Sequence, residues 1–258
     1  MQRIYWTEVL KHIQTFTTSG SAKIHISNLV PFKCKELALA SIQEVFDATE
    51  VLQKGTRPHL ESLDLFEPWY ARIKKKAVLK PTELKDIRSF CYEAIALREV
   101  LEPLYSAWSR RIYEKIFDAR EALAAIDQIL TPRGEIRSDA SKKLLNLFRE
   151  KENLSHQLRN SLDRLVHDHK METILQDKYV TTREGRWVLP VRSGMQHSLD
   201  GVIHGSSQTK QTVFMEPSSV IPLNNRLRQI DVDIEDEIER LLTELSYYLH
   251  SLSEIFAL

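Results

Sequence analysis

Glycine is scarce: there are seven in 258 residues, where average usage would give roughly 18. Glycine weakens helix interiors and collects in turns, so the deficit points to a mainly helical chain. Four of the seven, Gly185, Gly194, Gly201 and Gly205, lie close together and mark one island of different character. Cysteine is nearly absent. Cys34 and Cys91 form no Cys-x-x-Cys pair, which excludes a disulfide framework and a thiolate zinc site and fits a reducing cytosol. Excess charge of either sign is missing as well, with 36 basic against 36 acidic side chains. The chain is therefore not a strongly basic polyanion binder, although a local basic surface stays open. No apolar run approaches the ~18 residues of a membrane span, and Met1 to Trp6 lacks the apolar stretch of a signal peptide. The expectation is a cytoplasmic protein, neither exported by a standard signal nor membrane-spanning.

Catalytic signatures are missing too. No phosphate-cradling P-loop, GxGxxG or HExxH is present. His167-Asp168-His169 has the residue types of a metal cluster, but positions i and i+2 of a helix point to different faces. Ser207-Gln208-Thr209-Lys210 matches SxxK without the partners that acyl transfer requires. Six carboxylates between Asp231 and Glu239 are spread by a helix around its exposed faces and do not converge on a metal. No catalytic site and no cofactor is expected within these residues.

What is present is ordinary globular material, 42% hydrophobic and 28% charged, arranged with helical period. Residues 1–133 read as an N-terminal helical domain. One helix runs from Phe32 to Leu52, with Gly55 to His59 as a loop. Another starts at Pro81 and ends before Pro103, and a third runs from Leu104 to Leu130, broken by Thr131-Pro132-Arg133-Gly134. Two seam-bearing arms follow. The first, within 134–176, places Leu144, Leu147, Leu154, Leu158, Leu162 and Leu165 mostly three or four residues apart. The second, 223–258, does so with Leu227, Ile230, Ile234, Ile238, Leu241, Leu245 and Leu249. At 35–40 residues each arm would be roughly 55 Å long. From Arg137 to Lys170 there are eight Lys/Arg against five Asp/Glu, and from Leu223 to Leu258 three against eight. Opposite excesses of this kind suit antiparallel coiled-coil pairing, for which cross-linking near Leu158 and Leu241 would be the test.

Between the arms, residues 177–222 turn β-branched and aromatic, in four short runs around Tyr179–Thr182, Arg186–Val191, Val202–His204 and Thr212–Met215. The fold class is therefore mainly α: a helical N-terminal domain plus a long antiparallel helical lever carrying a small antiparallel β clamp. Lys178, Arg183, Arg186, Arg192 and Lys210 are interleaved with Tyr179 and Trp187 in the island. Basic residues among strand aromatics suit contact with a nucleic-acid backbone, so these five are the candidate phosphate contacts. Four acids share the segment, leaving a net excess of one. His204 and Glu216 read as structural, and Asn224 and Asn225 as caps of the second arm.

The island and its flanks also carry a resemblance. Gly185-Arg186-Trp187-Val188-Leu189-Pro190-Val191 resembles the GRYVIPV strand of the MutS superfamily, in its Smr-tailed, recombination-suppressing bacterial branch. Gly201-Val202-Ile203-His204, Ser206-Ser207 and Thr212-Val213-Phe214-Met215-Glu216-Pro217 are similar to that branch's GIVHD-SS-T-FIEP segment. Leu223-Asn224-Asn225 with the acidic helix after it resembles its LNNEL stretch, and Gly134-Glu135 to Ser141 its GE-DSAS helix entry. The ordered matches span about 134–245. The resemblance implies a core, lever and clamp region that grips DNA, including branched DNA, or stalled ribosomes. It implies an ATPase using ATP and Mg, through which the protein forms a homodimer, and a nuclease tail, both beyond Leu258. The chain stops in mid-seam without a helix stop signal, so the expectation is the N-terminal portion of a longer protein. Two departures stand out. Gly205 replaces the usual Asp, and Lys210 replaces a Gly of several members, which disfavours a left-handed turn there and makes the loop more basic. The family's mismatch-reading Phe-x-Glu domain has no counterpart. The rival reading is a coiled-coil interaction module docking on a protein or ribosome surface.

Overall fold

The computed structural model describes residues 5–17, 19–53, 55, 60–104, 106–253 and 256. Of the loop expected at Gly55 to His59, residues 56–59 lie outside them. The chain divides into two compact units, Met1–Arg137 with Leu241–Leu258, and Ser138–Arg240.

The first unit is helical: α1 (Trp6–Gln14), α2 (Gly20–Ser27), α3 (Lys35–Gln53), α4 (Phe66–Lys74), α5 (Pro81–Leu101), α6 (Ala107–Lys115) and α7 (Arg120–Ile129). Helix α5 starts where proline supplies a preset φ at its first position and the Glu83 carboxylate accepts from the Lys80 amide at 2.8 Å. Its buried residues Leu84, Ile87, Cys91 and Ala94 meet Trp69 and Ile73 of α4 and Ala122 and Ile126 of α7. Phe66, Phe90, Phe117 and Phe256 gather around Trp69 with ring centroids 4.7–6.4 Å apart. Burial pushes the Cys91 thiol up to about 12, which makes it a core residue rather than a reactive one.

The single helix expected from Leu104 to Leu130 is two helices. The Arg98 guanidinium donates to the Ile116 carbonyl and lies 4.3 Å over the Tyr113 ring, which satisfies the end of α6. Ile116 then turns to an extended backbone, and Asp118 accepts from the Arg120 amide at 3.1 Å to open α7. Apolar periodicity runs through both helices because both bury the same stripe, so it hides the break.

The second unit pairs α8 (Lys142–Val166) with the early part of α9 (Ile221–Ser251) and carries a four-stranded sheet. Ser141 caps α8 by accepting from the Leu144 amide at 3.0 Å. The strands are β1 (Thr181–Arg183), β2 (Arg186–Arg192), β3 (Gly201–Ser206) and β4 (Thr212–Pro217), antiparallel in the order β1-β2-β4-β3. Leu158, Leu162 and Val166 of α8 pack with Leu189 and Val191 of β2, Met215 of β4 and Leu227 of α9.

The α8–α9 pair is antiparallel. Glu150 meets Arg226 at 2.7 Å, Lys151 meets Asp231 at 2.6 Å, and Ser141 meets Glu237 at 2.8 Å. Its register differs from the expected one. Leu158 shares its core with Val220, just before α9 begins, so Leu158 and Leu241 are not the pair to cross-link. The first arm is also shorter: α8 has 25 residues, roughly 37 Å. His167 ends it, and residues 169–171 form a 3-10 turn that sends the chain towards the sheet. Two further expectations change. The long run of carboxylates is not wholly exposed, because Glu237 is buried at 1% exposure while Ile238 is only half-buried. Lys210 adopts the left-handed conformation, φ +58°, so the turn persists without glycine.

Candidate nucleic-acid interface

The sheet is laid out by its turns. Glu184 and Gly185 both have positive φ, +50° and +75°, the two-residue turn whose twist matches antiparallel strands. It places Arg183 and Arg186 opposite each other. Like charges facing across a hairpin repel, and the fold separates them by giving each its own partners. The Arg183 guanidinium lies 4.0 Å over the Phe214 ring and donates to the Thr182 carbonyl at 3.2 Å. Arg186 turns inward.

That inward turn builds a site that motif reading left unrecognised. Arg186 Nη1 donates to both carboxylate oxygens of Glu216, at 2.8 and 3.0 Å, and Nη2 donates to Asn225 Oδ1 at 2.8 Å. Glu216 is 1% exposed. Its other contacts are His204 Nε2 at 2.7 Å and the Asn224 amide, which donates to Oε1 at 2.9 Å. Asn224 also accepts from the Trp187 amide and donates to the Trp187 carbonyl, both at 3.1 Å. Asn224 and Asn225 therefore do not cap α9, whose first residue is Ile221; they lie within its first turns and bind the sheet. A buried carboxylate needs such partners, since a lone one is costly in a low-dielectric interior. The sequence signal was a Glu ending an apolar strand, Val213-Phe214-Met215-Glu216, eight residues before an Asn on the buried face of a helix.

The five candidate residues do not converge. Arg183 and Arg186 sit at the end of the sheet bound to α9. Arg192 lies six residues further along β2, roughly 20 Å away, paired with Thr212 of β4. Its Nε donates to the Leu175 carbonyl at 2.9 Å. Lys210 joins Arg192 at this far end, in a turn closed by its amide on the Ser207 carbonyl at 2.9 Å. The Lys210 side chain is exposed and has no ion-pair partner among the described residues. Ser193 donates its amide to the Gln211 carbonyl at 2.9 Å, which brings loops 193–198 and 207–211 together. Lys178, at the β1 edge, is paired with Glu172 at 2.7 Å and holds that carboxyl below its usual range.

The far end thus has a distinct composition. Residues 192–199 and 201–215 contain no Asp or Glu, while they supply Arg192, Lys210, His197 and a set of Ser, Thr and Gln side chains. Glu184 and Glu216 lie towards the α9 end of the sheet, in the β1–β2 turn and the buried junction. Cationic heads, hydroxyls and amides are the groups that contact phosphodiester oxygens. No set of three or more His, Cys, Asp or Glu able to hold a metal occurs among the described residues. No helix among them is long and apolar enough to cross a membrane.

No protein-family model matches the chain. Whole-chain comparison does find relatives. The chain is 27% identical over 257 residues to a protein named endonuclease MutS2 from Halothermothrix orenii, covering 95% of this chain and 32% of that one. It is 28% identical over 244 residues to its namesake from Thermotoga neapolitana, with 95% and 32% covered. With the Thermus thermophilus protein of the same name, identity is 35% over 177 residues, 69% of this chain and 23% of that one. The chain spans about a third of the length of the first two of these curated relatives, and along nearly its whole length it is similar to proteins called endonuclease MutS2.

Proposed function

We propose that the Ser138–Arg240 unit grips a nucleic-acid backbone, DNA in the first instance, at the end of its sheet remote from α9. The grip would be coupled to an ATPase lying beyond these residues, which would supply the ATP and Mg chemistry and the homodimer contact. The observation that carries the reading is that the two loops meeting at this end, 193–198 and 207–211, contain no Asp or Glu and stand beside Arg192 and Lys210. Lys210 is the foremost phosphate contact. Arg192 stands beside it, whereas Arg183 lies at the opposite end of the sheet and Lys178 is paired with Glu172, so these two contribute at most a secondary attraction. Arg186 acts through Glu216, holding the sheet to α9. The role is sequence-independent, because phosphate contacts position a protein on nucleic acid and base contacts specify the sequence. The name of the relatives supports the nucleic-acid assignment.

Salt-titrated binding tests it. Removing one phosphate-binding cation lowers the slope of log affinity against log salt by about 1. The full chain is titrated with a labelled duplex and a labelled four-way junction by fluorescence anisotropy. Lys210→Glu and Arg192→Glu are expected to weaken both and flatten the slope, with circular dichroism unchanged. Affinity and slope that stay the same in both variants overturn the reading and favour a protein-docking surface.

A further inference from the structure

Residues 68–82 contain five basic side chains and no Asp or Glu. Arg72 is used within the fold, pairing with Glu83 at 2.8 Å and donating to the Val78 carbonyl at 2.7 Å. Lys74 lies 4.7 Å over the Tyr70 ring. Lys75, Lys76 and Lys80 are exposed and have no ion-pair partner among the described residues. Two of these three stand where local structure would choose another residue. At the end of α4 the Lys76 amide donates to the Ile73 carbonyl at 2.9 Å, and the Ala77 amide to the Arg72 carbonyl at 3.1 Å. This closure puts Lys76 at φ +53°, the left-handed position that glycine ordinarily fills. Lys80 precedes the first residue of α5, where Ser, Thr, Asp or Asn is favoured and the positive helix end opposes a cation. Helix-end electrostatics accounts for Lys74 and Lys75 at the C-terminal end of α4, and not for the other two. Ammonium groups kept against local preference, in a stretch without carboxylates, fit a polyanion.

An aromatic ring adjoins the run. Residues 77–79 lie along the C-terminal part of α9: the Leu79 amide donates to Ser246 Oγ at 2.8 Å, and His250 Nε2 donates to the Ala77 carbonyl at 3.0 Å. Tyr247, on the same stretch of α9, packs edge-on to His250 with 5.8 Å between centroids and is 61% exposed. An exposed ring beside ammonium groups is the combination that holds unpaired nucleic acid, the cations following phosphates and the ring stacking on a base. A duplex keeps its bases stacked within itself, and an acidic peptide has no base to offer the ring. We propose that Lys75, Lys76, Lys80 and Tyr247 form a second nucleic-acid surface, on the helical unit, whose ligand is a single strand.

Fluorescence anisotropy of the full chain with labelled oligo-dT, oligo-U, duplex DNA and polyglutamate reads the result, the first two separating DNA from RNA. For single strands each phosphate-bound cation contributes about 0.7 to the slope of log affinity against log salt. Lys76→Glu combined with Lys80→Glu should flatten that slope by about 1.4 and weaken single strands roughly tenfold or more at low salt. Lys76→Gly relieves the left-handed backbone, so it should raise the thermal midpoint while weakening binding about fivefold, an outcome that lost folding does not produce. Tyr247→Leu should weaken single strands by about fivefold or more, with the salt slope and the duplex affinity unchanged. An unchanged slope in the paired lysine variant overturns the proposal. Polyglutamate bound as tightly as the strands, or strands indifferent to Tyr247→Leu, overturns the single-strand assignment. The sheet-end reading is tested apart: in a chain carrying Lys210→Glu and Arg192→Glu, single-strand binding should persist and then be lost on adding Lys76→Glu and Lys80→Glu. If the sheet-end changes alone abolish all binding and the lysine changes none of it, this proposal falls and that reading stands.

Discussion

Replacing Glu216 by Gln keeps the shape of the side chain and removes its charge. Glu216 Oε1 and Oε2 accept from Arg186 at 2.8 and 3.0 Å, meet His204 Nε2 at 2.7 Å and accept from Asn224 at 2.9 Å, with 1% of the residue exposed. The Gln amide retains one acceptor and places an NH2 group where an oxygen stood. Hydrogen bonds to charged groups contribute about 1.5–3 kcal/mol each, and breaking a buried ion pair by removing one partner costs about 3–5 kcal/mol. Arg186 keeps Asn225 and 19% of its side chain exposed, so part of its charge stays solvated. The expected loss is therefore at the lower end, about 2–3 kcal/mol for Glu216→Gln and more for Glu216→Ala. These figures describe breaking the pair, not its worth against an apolar replacement.

For a unit of about 100 residues, 1 kcal/mol shifts Tm by roughly 4–8 °C. The transition that reports the sheet, followed by the fluorescence of Trp187, should fall by at least ~8 °C in Glu216→Gln. A double-mutant cycle with Arg186→Met isolates the pair. A coupling of about 1–3 kcal/mol is expected for groups in one hydrogen-bonded network. If Glu216→Gln stays within ~0.5 kcal/mol of the parent in urea unfolding, or the coupling is below ~0.5 kcal/mol, the junction does not hold the sheet to α9.

Other outcomes follow from single positions. A Cβ on Gly201 would lie 2.2 Å from the Glu216 carbonyl oxygen, so Gly201→Ala should force β3 and β4 apart at a cost of about 1–3 kcal/mol, read in the same melt. Lys210 has φ +58°, so Lys210→Gly should stabilise the hairpin by up to ~1 kcal/mol while lowering nucleic-acid affinity. A variant that gains both would separate the turn from the interface. The Glu237 carboxyl is held at about 2, chiefly by hydrogen bonds from Arg240 and then by Ser141 and Lys143, against the cost of burial. A folded pKa below the usual 4.5 gives stability that is present above that value and is lost as pH falls towards 2. Glu237→Gln should therefore flatten the decline of urea stability between about pH 5 and 2, and an unchanged acid limb would count against the pairing.

Periodicity made most of the helical skeleton readable, because burial on one stripe is what 3.6-residue spacing records. It located α5 from Pro81 and the apolar face of α9. It failed where the stripe continued across a chain break, as between α6 and α7, since the capping by Arg98 and Asp118 is tertiary or local and leaves no apolar gap. It also misplaced one seam position. From Ile234 to Leu241, both Glu237 and Ile238 satisfy three- and four-residue steps, and hydropathy favoured the isoleucine. Only the arrival of Ser141, Lys143 and Arg240 makes the glutamate the buried one. The site was less legible. Five basic residues within a short segment read as one patch, yet β2 sends Arg186 and Arg192 to opposite ends. Whether an arginine faces solvent or a buried carboxylate depends on a partner 30 residues away, which spacing along the chain does not encode.

The two buried carboxylates together explain how α9 keeps its place in the second unit. An apolar seam alone tolerates sliding, because leucine and isoleucine knobs at repeated intervals fit alternative holes. Sliding α9 by one turn, about 5.4 Å, would take Glu237 out of reach of Ser141 and Lys143, and Asn224 out of reach of Trp187 and Glu216. Glu216 would keep Arg186 and His204, and Glu237 would keep Arg240, but each buried carboxylate would lose its remaining hydrogen bonds, at a cost of about 1–3 kcal/mol each. The restraint acts at two separated points, one at the cap of α8 and one on the sheet, so the register is fixed at both ends of the paired stretch. A load applied to β2 or β4 must therefore move the first turns of α9 with the sheet, since Asn224 and Asn225 hold the Trp187 backbone and the Arg186 side chain directly.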